Sequence, residues 1–180
     1  MVAADTGRTL LLVAETRGDL MHHAVLEWVQ RWVPSGPCSV LDCGGRDING
    51  SPSYLFENAT LEVVDLVQGP GVTWVGDILD YGNAQPFDVG LYLEVAEHTP
   101  DWPLHIKHIR DLLNKKTGLF IFTAATHGRP AHSASDGGQL QPDEYYNNID
   151  PDLLAQLLDR TFSKHVIDVQ GEDVRAAAWR

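Results

Sequence analysis

Residues 39–50 combine residue types that favour binding of a small molecule. They read Ser-Val-Leu-Asp-Cys-Gly-Gly-Arg-Asp-Ile-Asn-Gly, an apolar run that ends in Asp42 and continues through paired glycines. A helix is expected to begin directly afterwards, at residues 51–52. A strand that feeds a glycine-rich turn and a helix N-terminus is a common ligand cradle. The dinucleotide fingerprint G-x-G-x-x-G is not met, because Arg46 stands where its second glycine would be.

The carboxylate of Asp42 indicates which ligand suits this turn. A dinucleotide would bring an anionic pyrophosphate, which a carboxylate repels, whereas S-adenosylmethionine carries an ammonium and a sulfonium, which it attracts. Glycines let the backbone approach the methionine part closely, and Arg46 is placed either to bind a carboxylate bidentately or to form a surface salt bridge. The predicted cofactor turn comprises Asp42, Gly44, Gly45, Arg46, Asn49 and Gly50.

A second acidic residue follows the next predicted strand. Asp65 lies 65 − 42 = 23 residues after Asp42, close to the spacing of about 20 residues seen between a glycine-rich turn and a ribose-binding acid. We therefore expect Asp65 to accept hydrogen bonds from ribose hydroxyls and Leu66 to lie beside the nucleoside.

Two further strand ends carry carboxylates. Asp77 is expected to accept a hydrogen bond from an adenine amino group while Ile78 packs on the ring, although a simple turn also explains this pair. Glu94 ends the fourth predicted strand, so its charge would face the sulfonium or amino group of the cofactor. Ligands bind at this carboxyl edge in open α/β sheets.

His98 is the candidate catalytic residue. It lies four residues after Glu94, and an imidazole is suited to take a proton from a hydroxyl or amine near neutral pH. An acceptor that is already nucleophilic needs no base, in which case His98 would position it. Packing in a loop is the third interpretation of this residue.

The elements that must position these residues follow a strand–helix pattern. Mostly apolar strands indicate a parallel sheet buried on both faces, and Gln-Gly-Glu-Asp near the end predicts an antiparallel closing hairpin. We predict an α/β, Rossmann-like, doubly wound sheet of seven mostly parallel strands with helices on both faces. Strands are predicted at 39–43, 61–66, 72–75, 87–93, 119–123, 165–169 and 174–179, and helices at 19–33, 102–114 and 150–159.

Length and charge set the remaining limits. The 180 residues suit one domain, assigned to 19–180, preceded by a segment 1–18 that is loose or forms an edge strand. A net charge of −12 argues against general binding to nucleic acids or anionic membranes. Two cysteines, Cys38 and Cys43, do not form a disulfide framework and should face opposite sides of a strand. No membrane span or signal segment is apparent, which predicts a cytoplasmic protein.

The motifs in this order resemble those of class I S-adenosylmethionine-dependent methyltransferases. They are V-L-D-x-G-G-R-D-x-N-G, V-D-L-V-x-G-P-G-V, G-D-I and L-E-V-x-E-H-T-P-D-W. The chain is most similar to small standalone members with G-G-R-D-x-N-G, from about Val40 to the C-terminus. The resemblance implies methyl transfer to an oxygen or nitrogen of a small or medium-sized acceptor, release of S-adenosylhomocysteine, and a monomer or homodimer.

A long polar stretch, 124–148, resembles the loop that closes over the acceptor in that family. The resemblance implies that residues of this loop, together with Trp102, line or cover the acceptor site. Without a fourth ligand or a compact ligand pattern, the histidines and the acid of this loop do not predict a metal. The loop candidates are His127, His132, Asp136, Tyr145 and Tyr146.

Three other functions compete with an acceptor-methylating enzyme. The chain can be a module that binds S-adenosylmethionine without transferring its methyl group, or a nucleic-acid methyltransferase, which its acidic charge disfavours. A nicotinamide-dependent oxidoreductase is opposed by Asp42 and by the failed dinucleotide fingerprint.

Overall fold

The computed structural model describes residues 23–48 and 50–180, which form a seven-stranded sheet with helices on both faces. The strands are β1 (Cys38–Cys43), β2 (Ala59–Asp65), β3 (Trp74–Val75), β4 (Val89–Leu93), β5 (Leu119–Ala125), β6 (Lys164–Gln170) and β7 (Asp173–Trp179). The helices are α1 (His23–Gln30), α2 (Trp102–Leu112) and α3 (Pro151–Thr161). The strand order is β3-β2-β1-β4-β5-β7-β6.

The sheet has the predicted mixed character. Strands β1 to β5 pair in parallel, while β7 runs antiparallel to both β5 and β6. The central strands β4 and β5 are buried along their whole length, as expected for strands covered on both faces. The predicted closing hairpin is therefore confirmed, and it places β7 next to β5.

Two apolar cores cover the two faces of the sheet. Helix α1 packs Val25 and Val29 on one face, and α2 and α3 pack Ile109 and Leu154 on the other. Cys43 belongs to the second core and Cys38 packs against the first, so the two thiols lie on opposite faces. The doubly wound arrangement follows from these two apolar layers.

Local sequence signals start two of the helices. Asp150 caps α3, where its carboxylate accepts hydrogen bonds from the backbone N–H groups of Asp152 and Leu153 at 2.8 and 3.4 Å. Proline stands at the start of α2 and α3, where its missing N–H costs no helical hydrogen bond. The predicted starts of α2 and α3 are therefore met to within one residue, with a side-chain cap at α3 only.

The helix predicted at residues 51–52 is wrong. Pro52–Leu55 forms only a four-residue 3-10 turn, which Ser51 caps. Its end at Phe56 has a physical cause, because Phe56 leaves the helical region and packs its ring into the core beneath α1. Residues 51–58 connect the glycine turn to β2, and they are too few to hold both a full helix and this buried anchor.

Other boundaries within the described residues shift by one to three residues. β3 has only two residues, and β4 starts at Val89 because Phe87 pairs instead with Leu113 in an isolated bridge. The predicted helix start near Asp19 and the segment 1–18 lie outside the described residues. In the described part of the chain, no helix has both the length and the apolar character needed to cross a membrane.

Adjacent leucines on α3 test this packing. Leu154 is fully buried and Leu153 is 55% exposed. We expect Leu154→Ala to lower the free energy of unfolding by about 2–5 kcal/mol, because it leaves a cavity between α3 and the sheet. The matched change Leu153→Ala should stay within about 0.5 kcal/mol. Urea unfolding measures both; equal losses would contradict the assigned face of α3.

Candidate active site

A cleft of about 360 Å³ opens at the carboxyl edge of the sheet. Its walls come from the segments that follow β1, β2, β3 and β4, together with part of the long loop after β5. The connections after β1 and β4 leave this edge in opposite directions, because β1 pairs with β2 on one side and β4 on the other. Such a reversal leaves a crevice at the edge where open α/β sheets bind ligands.

The turn after β1 needs glycine at two successive positions. Gly44 has φ +78°, and a side chain there would collide with Val95. A Cβ at Gly45 would fall on the carboxyl group of Asp42. Gly44 donates its N–H to the carbonyl of Val64 at 2.7 Å, which joins the turn to β2. Backbone therefore forms this wall of the cleft without bulk from side chains.

Asp42 lies beneath this turn and is only 2% exposed. Its Oδ2 has no hydrogen-bond partner among the described residues. Burial, helped by the charge of Asp65, raises the pKa of Asp42 to about 7. A buried carboxylate without a partner favours a positive charge next to it. Asp42 itself does not line the cleft and lies beneath the turn that does.

Asp65 organises the neighbouring wall. Its carboxylate accepts hydrogen bonds from the N–H groups of Arg46 at 3.3 Å and Val67 at 2.9 Å. The Nε atom of Arg46 also lies 3.9 Å from the carboxylate of Asp65. Of the two roles predicted for Arg46, the structure therefore shows a salt bridge within the protein. Arg46, Asp65 and Leu66 all line the cleft, with Leu66 70% exposed beside them.

The third wall contains the predicted pair Asp77 and Ile78 together with a histidine that was not predicted. Asp77 caps a short 3-10 turn by accepting from the N–H of Leu79 at 2.9 Å. His105 lies 3.7 Å from Asp77 and 2.8 Å from the hydroxyl of Tyr92. Both His105 and Tyr92 reach the cleft. Helical spacing on α2 brings His105 here, and no local motif marks it.

Glu94 stands at the end of β4 in a strained backbone conformation. Its φ is +56°, the one positive value among the described non-glycine residues. Strain of this kind persists where the surroundings hold a residue in place, and it is frequent at functional sites. Glu94 lines the cleft, and its carboxylate lies 3.9 Å from Arg129, which donates to Asp173 at 3.0 Å. Sequence reasoning missed Arg129 and Asp173, because only the β5–β7 pairing brings them to β4.

His98 faces the cleft from the 3-10 turn Ala96–His98. Its ring packs edge-on against His132 and Tyr146, with centroid distances of 5.0 and 5.5 Å. Burial, and next the proximity of His132, lowers the pKa of His98 to about 4. Glu97 beside it is fully buried, and burial together with the charge of Glu94 raises the pKa of Glu97.

The long loop after β5 contributes some of the predicted residues and not others. It brings His132 and Tyr146 against the ring of His98, although neither lines the cleft itself. His127, Asp136 and Tyr145 are exposed and also lie outside the cleft. The carboxylate of Asp136 accepts from Gly138 N–H at 2.8 Å in a plain turn.

The remaining predicted residues that the structure describes do not line the cleft, and two residues that were not predicted do. Trp102 packs against the apolar core under α2 and not along the cleft. Gly45 and Gly50 shape the turn without lining the cleft, and Asn49 lies outside the described residues. Ser135 and Glu144 line the cleft and were not predicted. The hydroxyl of Ser133 forms a hydrogen bond with the Ser135 hydroxyl at 2.8 Å and donates one to the Glu144 carboxylate at 2.7 Å. The sequence of this loop has no regular period that could have predicted these contacts.

Comparison with solved structures identifies this fold. A 1,6-didemethyltoxoflavin-N1-methyltransferase from Burkholderia thailandensis, solved with its acceptor and S-adenosylhomocysteine, matches 87% of this chain and 78% of its own, with a TM-score of 0.63 and 21% identity. The N-methyltransferase NodS from Bradyrhizobium japonicum WM9, in complex with S-adenosylhomocysteine, matches 87% of this chain and 85% of its own, with a TM-score of 0.59 and 16% identity.

A third similar structure is magnesium protoporphyrin IX methyltransferase from Synechocystis PCC 6803 with bound S-adenosylmethionine. It matches 88% of this chain and 80% of its own, with a TM-score of 0.57 and 16% identity. No protein-family model matches the chain, and no curated protein is detectably similar in sequence. The chain therefore has the Rossmann-like fold of class I S-adenosylmethionine-dependent methyltransferases, which confirms the resemblance at the level of the fold.

The pKa of Asp42 predicts how stability depends on pH. The folded value of about 7 lies above the ordinary 3.8, so between these values the folded protein holds a proton that the unfolded chain has released. The stabilisation is present below about pH 4 and is lost as pH rises through about 7. Without ligand, wild type should lose roughly 2 kcal/mol of unfolding free energy between about pH 5 and 8 relative to Asp42→Asn.

Urea unfolding at both pH values measures this difference, because the other titrating groups are common to the two proteins. Asp152→Asn is the matched control, since Asp152 is exposed on the first turn of α3. A difference between wild type and Asp42→Asn that does not change with pH would show that Asp42 is not a buried, unpaired carboxyl group.

Proposed function

We propose that this protein is an S-adenosylmethionine-dependent methyltransferase acting on a small or medium-sized acceptor. The observation that carries this proposal is the buried carboxylate of Asp42 under the Gly44–Gly45 turn, at the crevice of a methyltransferase fold. The ammonium and sulfonium of this cofactor match the acidic residues around the cleft, whereas a pyrophosphate would not.

The residues of the cleft suggest how the cofactor is oriented. The methionine part would lie at the turn above Asp42, and the ribose would meet Asp65, whose carboxylate is held by two backbone N–H groups. Asp77 and Ile78 would contact the adenine ring, and Glu94 would face the sulfonium. When bound, the cofactor supplies the reactive methyl group, and the protein supplies position and electrostatics.

The acceptor would enter on the side of His98 and the loop after β5. Methyl transfer needs the acceptor atom, the methyl carbon and the sulfur in line, and holding that geometry removes much of the entropic barrier. His98 lines the cleft together with Ser135 and Glu144, and its lowered pKa keeps the imidazole neutral but makes it a weak base. It is therefore placed to position the acceptor's heteroatom and, less effectively, to receive the acceptor's proton. The loop residues Tyr146 and His132 would hold His98 by their ring contacts. We further propose that the protein is cytoplasmic and works as a monomer or homodimer.

Cofactor binding is tested first through Asp65. Wild type should bind S-adenosylmethionine and S-adenosylhomocysteine in calorimetry, and Asp65→Ala should weaken both at least about tenfold, because ribose hydroxyls lose a charged acceptor. Asp65→Asn separates the lost charge from the lost hydrogen bonds to Arg46 and Val67. Asp159→Ala is the control and should bind like wild type. Wild type that binds neither molecule would overturn the proposal.

His98 separates transfer from mere binding. We expect His98→Ala to bind S-adenosylmethionine like wild type and to transfer its methyl group about 10²–10⁴-fold more slowly, since proton removal or positioning is lost. The readout is S-adenosylhomocysteine released with hydroxyl and amine compounds that wild type methylates, and His23→Ala on the exposed face of α1 is the control. Binding without release on any acceptor would indicate a binding module without transfer activity.

A further inference from the structure

Three side chains beside the cleft form a compact group of metal-ligating types. Glu97 and His98 are adjacent on the 3-10 turn after β4, and His132 approaches them from the loop after β5. One ligand atom from each lies within 4.8 Å of the other two. Bonds from a divalent ion to imidazole nitrogen or carboxylate oxygen are about 2.0–2.2 Å long, so small side-chain rotations would bring all three onto one ion.

The group contains buried polar atoms without partners. Glu97 is fully buried, and while its Oε1 accepts from the N–H of Ala125 at 3.1 Å, its Oε2 has no partner within residues 23–48 and 50–180. Nδ1 of His98 is likewise buried and unpaired within the same residues. An unmatched buried carboxylate oxygen costs free energy comparable to a lost charged hydrogen bond. A cation between these atoms would satisfy both.

His132 is oriented as a metal ligand is in known sites. Its Nδ1 lies 3.2 Å from the carbonyl oxygen of Pro130, and a carbonyl can only accept a hydrogen bond. Nδ1 therefore carries the proton, which leaves the lone pair on Nε2. Metal-binding histidines commonly have this tautomer, with the second nitrogen donating to a backbone carbonyl.

The charges nearby also favour a cation. Glu94, Glu97 and Asp173 converge on this region, and Arg129 pairs with two of them, Asp173 at 3.0 Å and Glu94 at 3.9 Å. Counted formally, three carboxylates face one guanidinium. A divalent ion at Glu97 would balance the excess of two negative charges.

We infer that Glu97, His98 and His132 form a binding site for a divalent transition-metal ion at the rim of the cleft. Two imidazoles and one carboxylate suit zinc, manganese, cobalt or iron, whereas magnesium and calcium prefer oxygen ligands alone. Three protein ligands leave coordination positions open. The sequence-based expectation of no metal considered only His127, His132 and Asp136, whereas the proposed site combines His132 with Glu97 and His98.

The ion would link the loop after β5 to the end of β4, because its ligands come from both. Its use in methyl transfer rests on the proposed function: an open position would bind the acceptor's oxygen or nitrogen, and a bound hydroxyl would release its proton to water more readily. His98 would then act on the acceptor through the ion. The metal site itself does not depend on methyltransferase activity.

Cobalt(II) chloride added to chelator-treated protein tests the site, because imidazole ligation gives cobalt visible absorption bands. Wild type should bind one equivalent and melt at a higher temperature when loaded. His132→Ala should weaken cobalt binding at least about tenfold, since one of three ligands is lost, and should abolish the rise in melting temperature. His127→Ala, an exposed histidine of the same loop outside the group, should bind cobalt like wild type.

Wild type without a stoichiometric site, or His132→Ala that binds cobalt like wild type, would overturn the inference. If metal-free His132→Ala melts at a lower temperature than metal-free wild type, His132→Gln, which keeps a polar side chain, is used instead. It should show the same weakening of cobalt binding. Calorimetry with S-adenosylmethionine on the same samples separates the two proposals. If S-adenosylmethionine binds and cobalt does not, only the inferred metal site is refuted. If cobalt binds and S-adenosylmethionine does not, only the proposed function is refuted.

Discussion

The arrangement of β1 between β2 and β4 is the constraint on which the rest of this structure depends. Parallel strands bring their carboxyl ends to one edge, and connections that leave β1 and β4 in opposite directions cannot fill the space between them. The crevice exists before any side chain is considered. Asp42, Asp65 and Glu94 then lie around it because each ends a strand of this sheet or stands directly beside its end.

Three carboxylates lie around this crevice, and they differ in burial and in their partners. Asp42 is sealed beneath glycines with an unpaired oxygen, Asp65 is held by backbone N–H groups, and Glu94 shares Arg129 with Asp173. Buried carboxylates cost free energy unless a partner arrives. The protein bears that cost at the edge where the proposed cationic cofactor would relieve it.

The proposed acceptor side of the cleft is built differently from the proposed cofactor side. The cofactor turn follows one strand directly, whereas His98 owes its surroundings to a loop that returns from β5 and is fastened by Thr126, whose hydroxyl donates to the carbonyl of Ile149 at 2.6 Å. Ser133 and Glu144 close the same loop on itself at 2.7 Å. Loops tolerate sequence change better than the strands that they connect, so the proposed acceptor side can vary while the sheet still forms the cleft.

Short-range patterns accounted for the individual strands, the closing hairpin, the capped start of α3 and the glycine turn over Asp42, because these depend on residues close together in the chain. They failed for the helix predicted at residues 51–52. Ser51 and Pro52 start only a 3-10 turn, because the chain leaves the helical conformation at Phe56 to bury its ring in the core. They also missed His105, Arg129, Glu144 and the grouping of Glu97, His98 and His132. The sequence by itself determined the strand ends and their carboxylates. Only the tertiary structure decided which side chains from distant segments share one space, because pairing across the sheet and the return of a long loop leave no local periodicity to read.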